Sequence, residues 1–252
     1  MKLSISQTSQ QMGALAARQV QQLICQTVKQ QGEARILVST GQSQFEFFES
    51  LVTLDIPWEK VDIYHLDEYV GLPISHKASF RKYLKERFVD LIGSKRMHYI
   101  SGEGDTVQVI REITASILEK PVDIGIIGIG ENGHIAFNDP PADFDTTASF
   151  HVVKLDAKCR AQQVGEGWFA SVEEVPQYAI SATVHQIMAC RNIVSVVPHA
   201  VKAQAIYDTL TAPEITNQIP ATILRQHSNW FLYLDADSAA MLPPSFCPEK
   251  EN

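Results

Sequence analysis

Over residues 122–141 the chain reads Val-Asp-Ile-Gly-Ile-Ile-Gly-Ile-Gly-Glu-Asn-Gly-His-Ile-Ala-Phe-Asn-Asp-Pro-Pro, and this run restricts the fold more than any other. The part up to Ile129 is rich in β-branched residues and nearly free of polar side chains, the pattern of a strand covered on both faces, as in a parallel sheet. Such a strand sits centrally. Gly128, Gly130 and Gly133 then remove side chains from its C-terminal end, so the backbone can turn sharply and a ligand can approach the peptide groups, those of Gly128 included. In open parallel sheets, ligands bind at that edge. His134 follows at once, and Asn138, Asp139, Pro140 and Pro141 stop regular structure, so an imidazole and a carboxylate reach the same edge. The Gly128-x-Gly130-x-x-Gly133 spacing matches a dinucleotide fingerprint, but the Asn-Asp-Pro-Pro run interrupts the helix that such a site needs, which argues against a nucleotide.

Strand and helix signals alternate on both sides of this run. Met12, Leu15, Ala16, Val20, Leu23, Ile24 and Val28 recur at helical spacing before a stop at Gly32. Residues 36–38 read as a strand, 45–52 as a helix and 61–66 as a strand. A helix over 75–92, started by Ser75, is expected to turn Phe80, Tyr83, Leu84, Phe88 and Leu91 inward. Residues 97–100 form a short strand, and Asp105 opens a helix striped by Val109, Ile110, Ile113, Ile117 and Leu118. Strands are further expected over 150–155, 192–197 and 230–234, with a helix over 199–210. Residues 163–169 are too Gly-rich for a regular element and read as a mobile lid. The alternation predicts an α/β fold: one domain over 1–252, a doubly wound, Rossmann-like parallel sheet with helices on both faces.

The net charge of −8 argues against a nucleic-acid partner, which requires a basic surface. It leaves room for a small anionic substrate, since local lysines and backbone N–H groups can hold one phosphate. Cys25, Cys159, Cys190 and Cys247 lack C-x-x-C spacing and read as reduced thiols. Residues 1–11 are polar and no apolar run reaches membrane-spanning length, so a cytoplasmic protein without membrane association is expected. A homo-oligomer is compatible with the exposed Gln-rich helix.

Three further segments carry candidate site residues. Ser39-Thr40-Gly41-Gln42-Ser43 joins a strand to a helix, where hydroxyls and backbone N–H groups can cradle a phosphate; Ser43 as a simple N-cap is an equal alternative. Asp67 and Glu68 are delivered to the sheet edge by the strand over 61–66, where either acid can cap a turn. Lys202 starts a helix after a strand, within reach of the same sheet edge or merely solvated.

The string Gly-Ile-Gly-Glu-Asn-Gly-His-Ile-Ala-Phe-Asn-Asp-Pro, over 128–140, closely resembles the active-site segment of the glucosamine-6-phosphate deaminase/isomerase family. Asp-Glu-Tyr-Val-Gly-Leu-Pro, over 67–73, resembles the same family's second signature. The resemblance implies an amino-sugar phosphate that is opened, isomerised from aldose to ketose and deaminated, without metal or organic cofactor. It implies Asp67 as the base moving a proton between C2 and C1, and His134 as the group that opens the ring. Thr40, Gly41, Ser43 and Lys202 are implied as phosphate ligands. The chain departs from the pattern at Asn132 and Asp139, where the best-known deaminases have Asp and Glu. Gln42 replaces a family glycine, and the family's phosphate-binding arginine has no clear match in 163–169, Arg160 being the nearest. Two alternatives remain: a 6-phosphogluconolactonase-like hydrolase, which shares the broader fold and a related Gly-His segment, and a catalytically weak sugar-phosphate sensor.

Overall fold

The computed structural model describes residues 1–165 and 167–246, without the side chains of Lys158 and Gln162; Cys247 lies outside the described residues. The central sheet contains β1 (Lys2–Ser6), β2 (Ala34–Val38), β3 (Val61–His65), β5 (Met97–His98), β6 (Ile124–Ile126), β9 (Asn192–Val197) and β10 (Trp230–Asp235). All neighbours pair parallel. The strand order is β1-β10-β9-β6-β2-β3-β5, so the hydrophobic run at 122–129 does supply the central strand, with only Ile124–Ile126 in ladder geometry. Chain direction across the sheet reverses between β2 and β6, and a crevice opens there at the strands' C-terminal ends.

The period-two rule divides each strand between two cores. Ile36, Val38 and Ile63 pack on one face with Met12, Ala16, Val20 and Ile24 of α1 (Ser9–Gln31) and Phe47, Phe48 and Leu51 of α2 (Phe45–Leu51). Leu37 and Tyr64 face the other side, with Ile113 and Ile117 of α5 (Thr106–Leu118) and Ile206 of α8 (Ala203–Thr211). Helices therefore cover both faces. Between them, α3 (Phe80–Leu84), a π-helical turn (Lys85–Val89) and α4 (Asp90–Ile92) run as one rod.

Several expectations are corrected. The polar N-terminus hides the edge strand β1, whose Leu3 and Ile5 alternate onto the core. The rod starts at Phe80, capped by Ser79, rather than at Ser75. Its π turn inserts an extra residue into the helical count, which buries Val89 and leaves Leu91 63% exposed. Leu15 and Leu118, placed inward by spacing, are also exposed; each lies on the margin of its helix's apolar stripe. Residues 163–169 are partly helical, because α6 (Ala157–Gly165) reaches into them.

A second sheet was not expected. β4 (Asp67–Tyr69), β8 (Tyr178–Ala182) and β7 (Phe150–Lys154) pair antiparallel, with Asp67 opposite Ser181. α7 (Val184–Met188) follows β8, capped by Thr183. A three-residue strand carries no usable periodicity, so Asp67 and Glu68 looked like loop residues. No helix among the described residues is long and apolar enough to cross a membrane, and Cys25, Cys159 and Cys190 are free thiols.

Candidate active site

The crevice at the switch point is a cavity of about 660 Å³, lined by the segments that follow β2, β3, β6 and β9 and by part of α6. Thr40, Gly41, Ser43, Asp67, Gly128, His134 and Lys202 all line it; Asn132 and Asp139 stand behind His134.

The turn after β6 is built to seat the imidazole. Gly130 N–H donates to the His134 carbonyl at 2.9 Å and Gly133 N–H, in left-handed geometry at φ 79°, donates to the Gly130 carbonyl at 3.0 Å. A Cβ on Gly130 would stand 2.1 Å from His134 Cε1 and 2.3 Å from Nε2, so the ring rests on a bare α-carbon that no other residue can offer. Asn132 Oδ1 accepts from the His134 backbone N–H at 3.1 Å and from Nδ1 at 2.7 Å, while its Nδ2 donates to Asp139 Oδ1 at 3.0 Å. Asp139 Oδ1 itself lies 3.2 Å from His134 Nδ1. Two acceptors around Nδ1 fix the proton there and leave Nε2 as the nitrogen available for proton exchange. The shorter Asp139 therefore does reach the imidazole. Burial works to raise its carboxyl, but the hydrogen bond and charge of His134, with hydrogen bonds from Asn132 and Cys159, outweigh this and hold it below the ordinary range.

The adjacent acids have separate tasks. Glu68 is fully buried and accepts from the backbone N–H groups of Tyr69, Phe80 and Arg81, from Ser79 Oγ and from Arg81 Nε. Together with the Ser79 N-cap it satisfies the free N–H groups at the start of α3. Asp67 lines the cavity and is 6% exposed; burial, then the neighbouring Glu68 charge, pushes its pKa up to about 8. A carboxyl so placed binds a proton far more tightly than an ordinary aspartate.

At the other end, β2 opens into Ser39 and Thr40, then Gly41 at φ 105° and a 3-10 turn, Gln42–Gln44. That turn has no side-chain cap, so the N-cap reading of Ser43 fails and its hydroxyl belongs to the cavity lining. Gln44, which no sequence pattern singles out, is fully buried and donates through Nε2 to Val196 O and to Ser43 Oγ, both at 3.1 Å. It braces the β2 loop against the end of β9. Tyr83 Oη donates to the Gly41 carbonyl at 3.1 Å. Lys202 is 8% exposed, which overturns the solvated-lysine reading. It is the one lysine or arginine lining the cavity among the described residues. Arg160 instead donates to Val172 O, and its neighbours Gln163, Gly165 and Trp168 form that wall. Gly167 is tied down by Lys77 Nζ at 2.8 Å.

His199 also lines the cavity. It was expected to be helical, but it sits at φ 77°, before a 3-10 turn, Ala200–Lys202, that leads into α8. Cys159 was equally illegible: only the folded chain brings it to Asp139.

The sequence profile of the family described as glucosamine-6-phosphate isomerases/6-phosphogluconolactonase matches residues 7–233. The chain belongs to this family. Among its members, the glucosamine-6-phosphate deaminase of Streptococcus uberis is 32% identical over 212 residues, which is 84% of this chain and 88% of that protein. The Streptococcus pneumoniae serotype 4 deaminase is likewise 32% identical over 212 residues, 84% of this chain and 89% of its own. A solved monomeric glucosamine-6-phosphate deaminase, described as a missing link of the NagB superfamily, superposes with a TM-score of 0.86 at 28% identity, covering 95% of this chain and 99% of its own. The 6-phosphogluconolactonase of Trypanosoma brucei superposes with a TM-score of 0.78 over 96% and 98% of the two chains but at 16% identity, a likeness of fold alone.

Proposed function

We propose that this family member is a glucosamine-6-phosphate deaminase that forms fructose 6-phosphate and ammonia. The observation that carries the reading is the pairing, in one cavity, of an imidazole with a charge-backed Nδ1 and a buried carboxyl of raised proton affinity. Hydrolysis of a lactone breaks no C–H bond and has no task for such a carboxyl, whereas aldose-ketose isomerisation does.

His134 Nε2 takes the proton of the sugar's C1 hydroxyl and returns one to the ring oxygen as the C1–O5 bond breaks, leaving the open aldehyde. Asp67 carboxylate then removes the C2 proton, and the electron pair forms the C1–C2 enolamine as O1 accepts a proton from the substrate's own ammonium group. Asp67 returns its proton to C1, and the nitrogen lone pair makes a C2 iminium. Water adds at C2, and its protons pass to the departing nitrogen and to solvent as the C2 carbonyl forms and the C–N bond breaks, so one substrate and one water give one ketose phosphate and one ammonia. Thr40, Gly41, Ser43 and Lys202 hold the phosphate, with the Gly128 peptide alongside, and convert remote binding energy into alignment of C1 and C2. Every assigned group comes from one chain, so a monomer suffices for the chemistry. The free thiols support a cytoplasmic setting.

The test is release of ammonia and ketose from glucosamine 6-phosphate, with galactosamine 6-phosphate, non-amino hexose phosphates and 6-phosphogluconolactone in parallel. Ammonia from the glucosamine ester is expected. Acid release from the lactone alone, or ketose without ammonia, refutes the reading.

A further inference from the structure

The cavity's phosphate end carries one lysine and no arginine among the described residues that line it, yet a phosphate monoester carries close to two negative charges at neutral pH. Near Lys202 stands a residue in a backbone conformation that favours glycine. His199 occupies φ 77° and ψ 147°, a region that costs an L-residue of the order of 1–3 kcal/mol and that glycine enters freely. Its surroundings enforce the conformation: the His199 N–H donates to both carboxylate oxygens of Asp235, at 3.1 and 3.0 Å, and its carbonyl accepts from Lys202 N–H at 3.0 Å. Those bonds need only a backbone, and glycine would make all of them without strain. With N–H and carbonyl both engaged inside the protein, the polar group that His199 offers the cavity it lines is its imidazole. The Gln44 brace from the β2 loop to Val196 brings the Thr40–Ser43 cradle beside this same segment.

We propose that His199 is a further substrate-binding residue, whose imidazole N–H hydrogen-bonds the phosphate ester and with Lys202 supplies what a second basic residue would. The proposal rests on the phosphate-ester substrate class proposed above but not on deamination. An imidazole keeps a donor N–H in either charge state, so the contact does not depend on its protonation.

His199→Gly is the decisive substitution, because it removes the ring while relaxing the backbone. Folding and Tm are expected to hold or rise. KM for glucosamine 6-phosphate is expected to rise about tenfold with kcat changed less than about twofold, as a hydrogen bond to a charged group predicts. Calorimetric titration of inorganic phosphate and fructose 6-phosphate is run on both proteins, and the dissociation constants are expected to weaken by the same factor, whereas unphosphorylated glucosamine should inhibit both proteins alike. His199→Gln, which keeps a donor, should recover part of the loss. Unchanged KM and phosphate affinity in His199→Gly would overturn the proposal, as would a fall in kcat alone or the absence of any phosphate-ester binding by the unsubstituted protein. Weakened phosphate binding in a protein that releases no ammonia would uphold His199 and refute the deaminase reading.

Discussion

Asp67→Asn separates the chemistry of the site from its cost to the fold. The carboxyl has a reference pKa of 3.8 and is pushed up to about 8 by burial and by Glu68. Each unit is worth about 1.4 kcal/mol, so ionising Asp67 in the folded protein opposes folding by up to about 6 kcal/mol, of which local relaxation and water entry leave several. Between pH 4 and 8 the unfolded chain has already lost this proton and the folded chain still holds it, so the fold binds more protons and stability falls as pH rises through that window. Below pH 4 both states are protonated and the penalty vanishes. An asparagine of nearly the same shape never ionises. The variant is therefore expected to match the parent near pH 4, to gain by about 1 kcal/mol per pH unit above it, and to level off past pH 8. Urea denaturation at pH 4.5, 6 and 8 measures this, and the same protein should lose deaminase turnover by about 10²–10⁴-fold. A stability difference that does not vary with pH, or a parent more stable than the variant at pH 8, would refute the account of Asp67 as a buried acid of high proton affinity.

Lys202→Ala should raise KM for phosphorylated sugars by about 10–100-fold with little change in turnover, read by steady-state kinetics; an unchanged KM would return the lysine to a structural role. Gly130→Ala would thrust a methyl to within 2.1 Å of the His134 ring, so turnover should fall at least about a hundredfold while the fold survives, as circular dichroism would check. Asn132→Asp, which restores the residue type of the best-known deaminases, should slow this enzyme about tenfold or more, because the new carboxylate replaces an amide that donates to Asp139 at 3.0 Å; like charges at that distance force one acid to hold a proton. Adding Asp139→Asn to that variant should restore rate, and a single Asn132→Asp faster than the parent would defeat the reasoning.

What the sequence disclosed and what it withheld have physical causes. The long apolar stripe of α1, the central hydrophobic run and the strand at Asn192–Val197 are local patterns, and period alone reveals them. The nine candidate site residues sit in or beside one cavity because each followed or ended a strand with glycine, hydroxyl or acid at the sheet's edge. The small antiparallel sheet was hidden because its pairing of Asp67 with Ser181 is long-range and β4 is too short to alternate. Leu91 misled because spacing counts assume an unbroken helix, and the π turn Lys85–Val89 breaks the count. Gln44, Cys159 and His199 belong to the site only through contacts with β9, Asp139 and Asp235, which no local pattern encodes.

The division of the site between two scaffolds follows from that topology. The loops proposed to hold the phosphate hang from β2 and β9 of the parallel sheet and are cross-braced by Gln44, so that cradle is as rigid as the sheet that carries it. Asp67 stands on the small sheet, its neighbour Glu68 locked to α3 by Ser79 and Arg81. Phe137 N–H donates to Ser181 Oγ at 3.1 Å and Asn138 Nδ2 donates to Ala182 O at 2.9 Å, which fastens the loop after His134 to that same small sheet. Asp67 and His134, the two groups proposed to move protons, are thus positioned relative to each other by β8, not by the proposed phosphate cradle. Substitutions in the cradle should therefore alter binding and leave the proton chemistry intact, whereas a substitution such as Ser181→Ala, remote from the phosphate, should lower turnover by loosening His134 against Asp67.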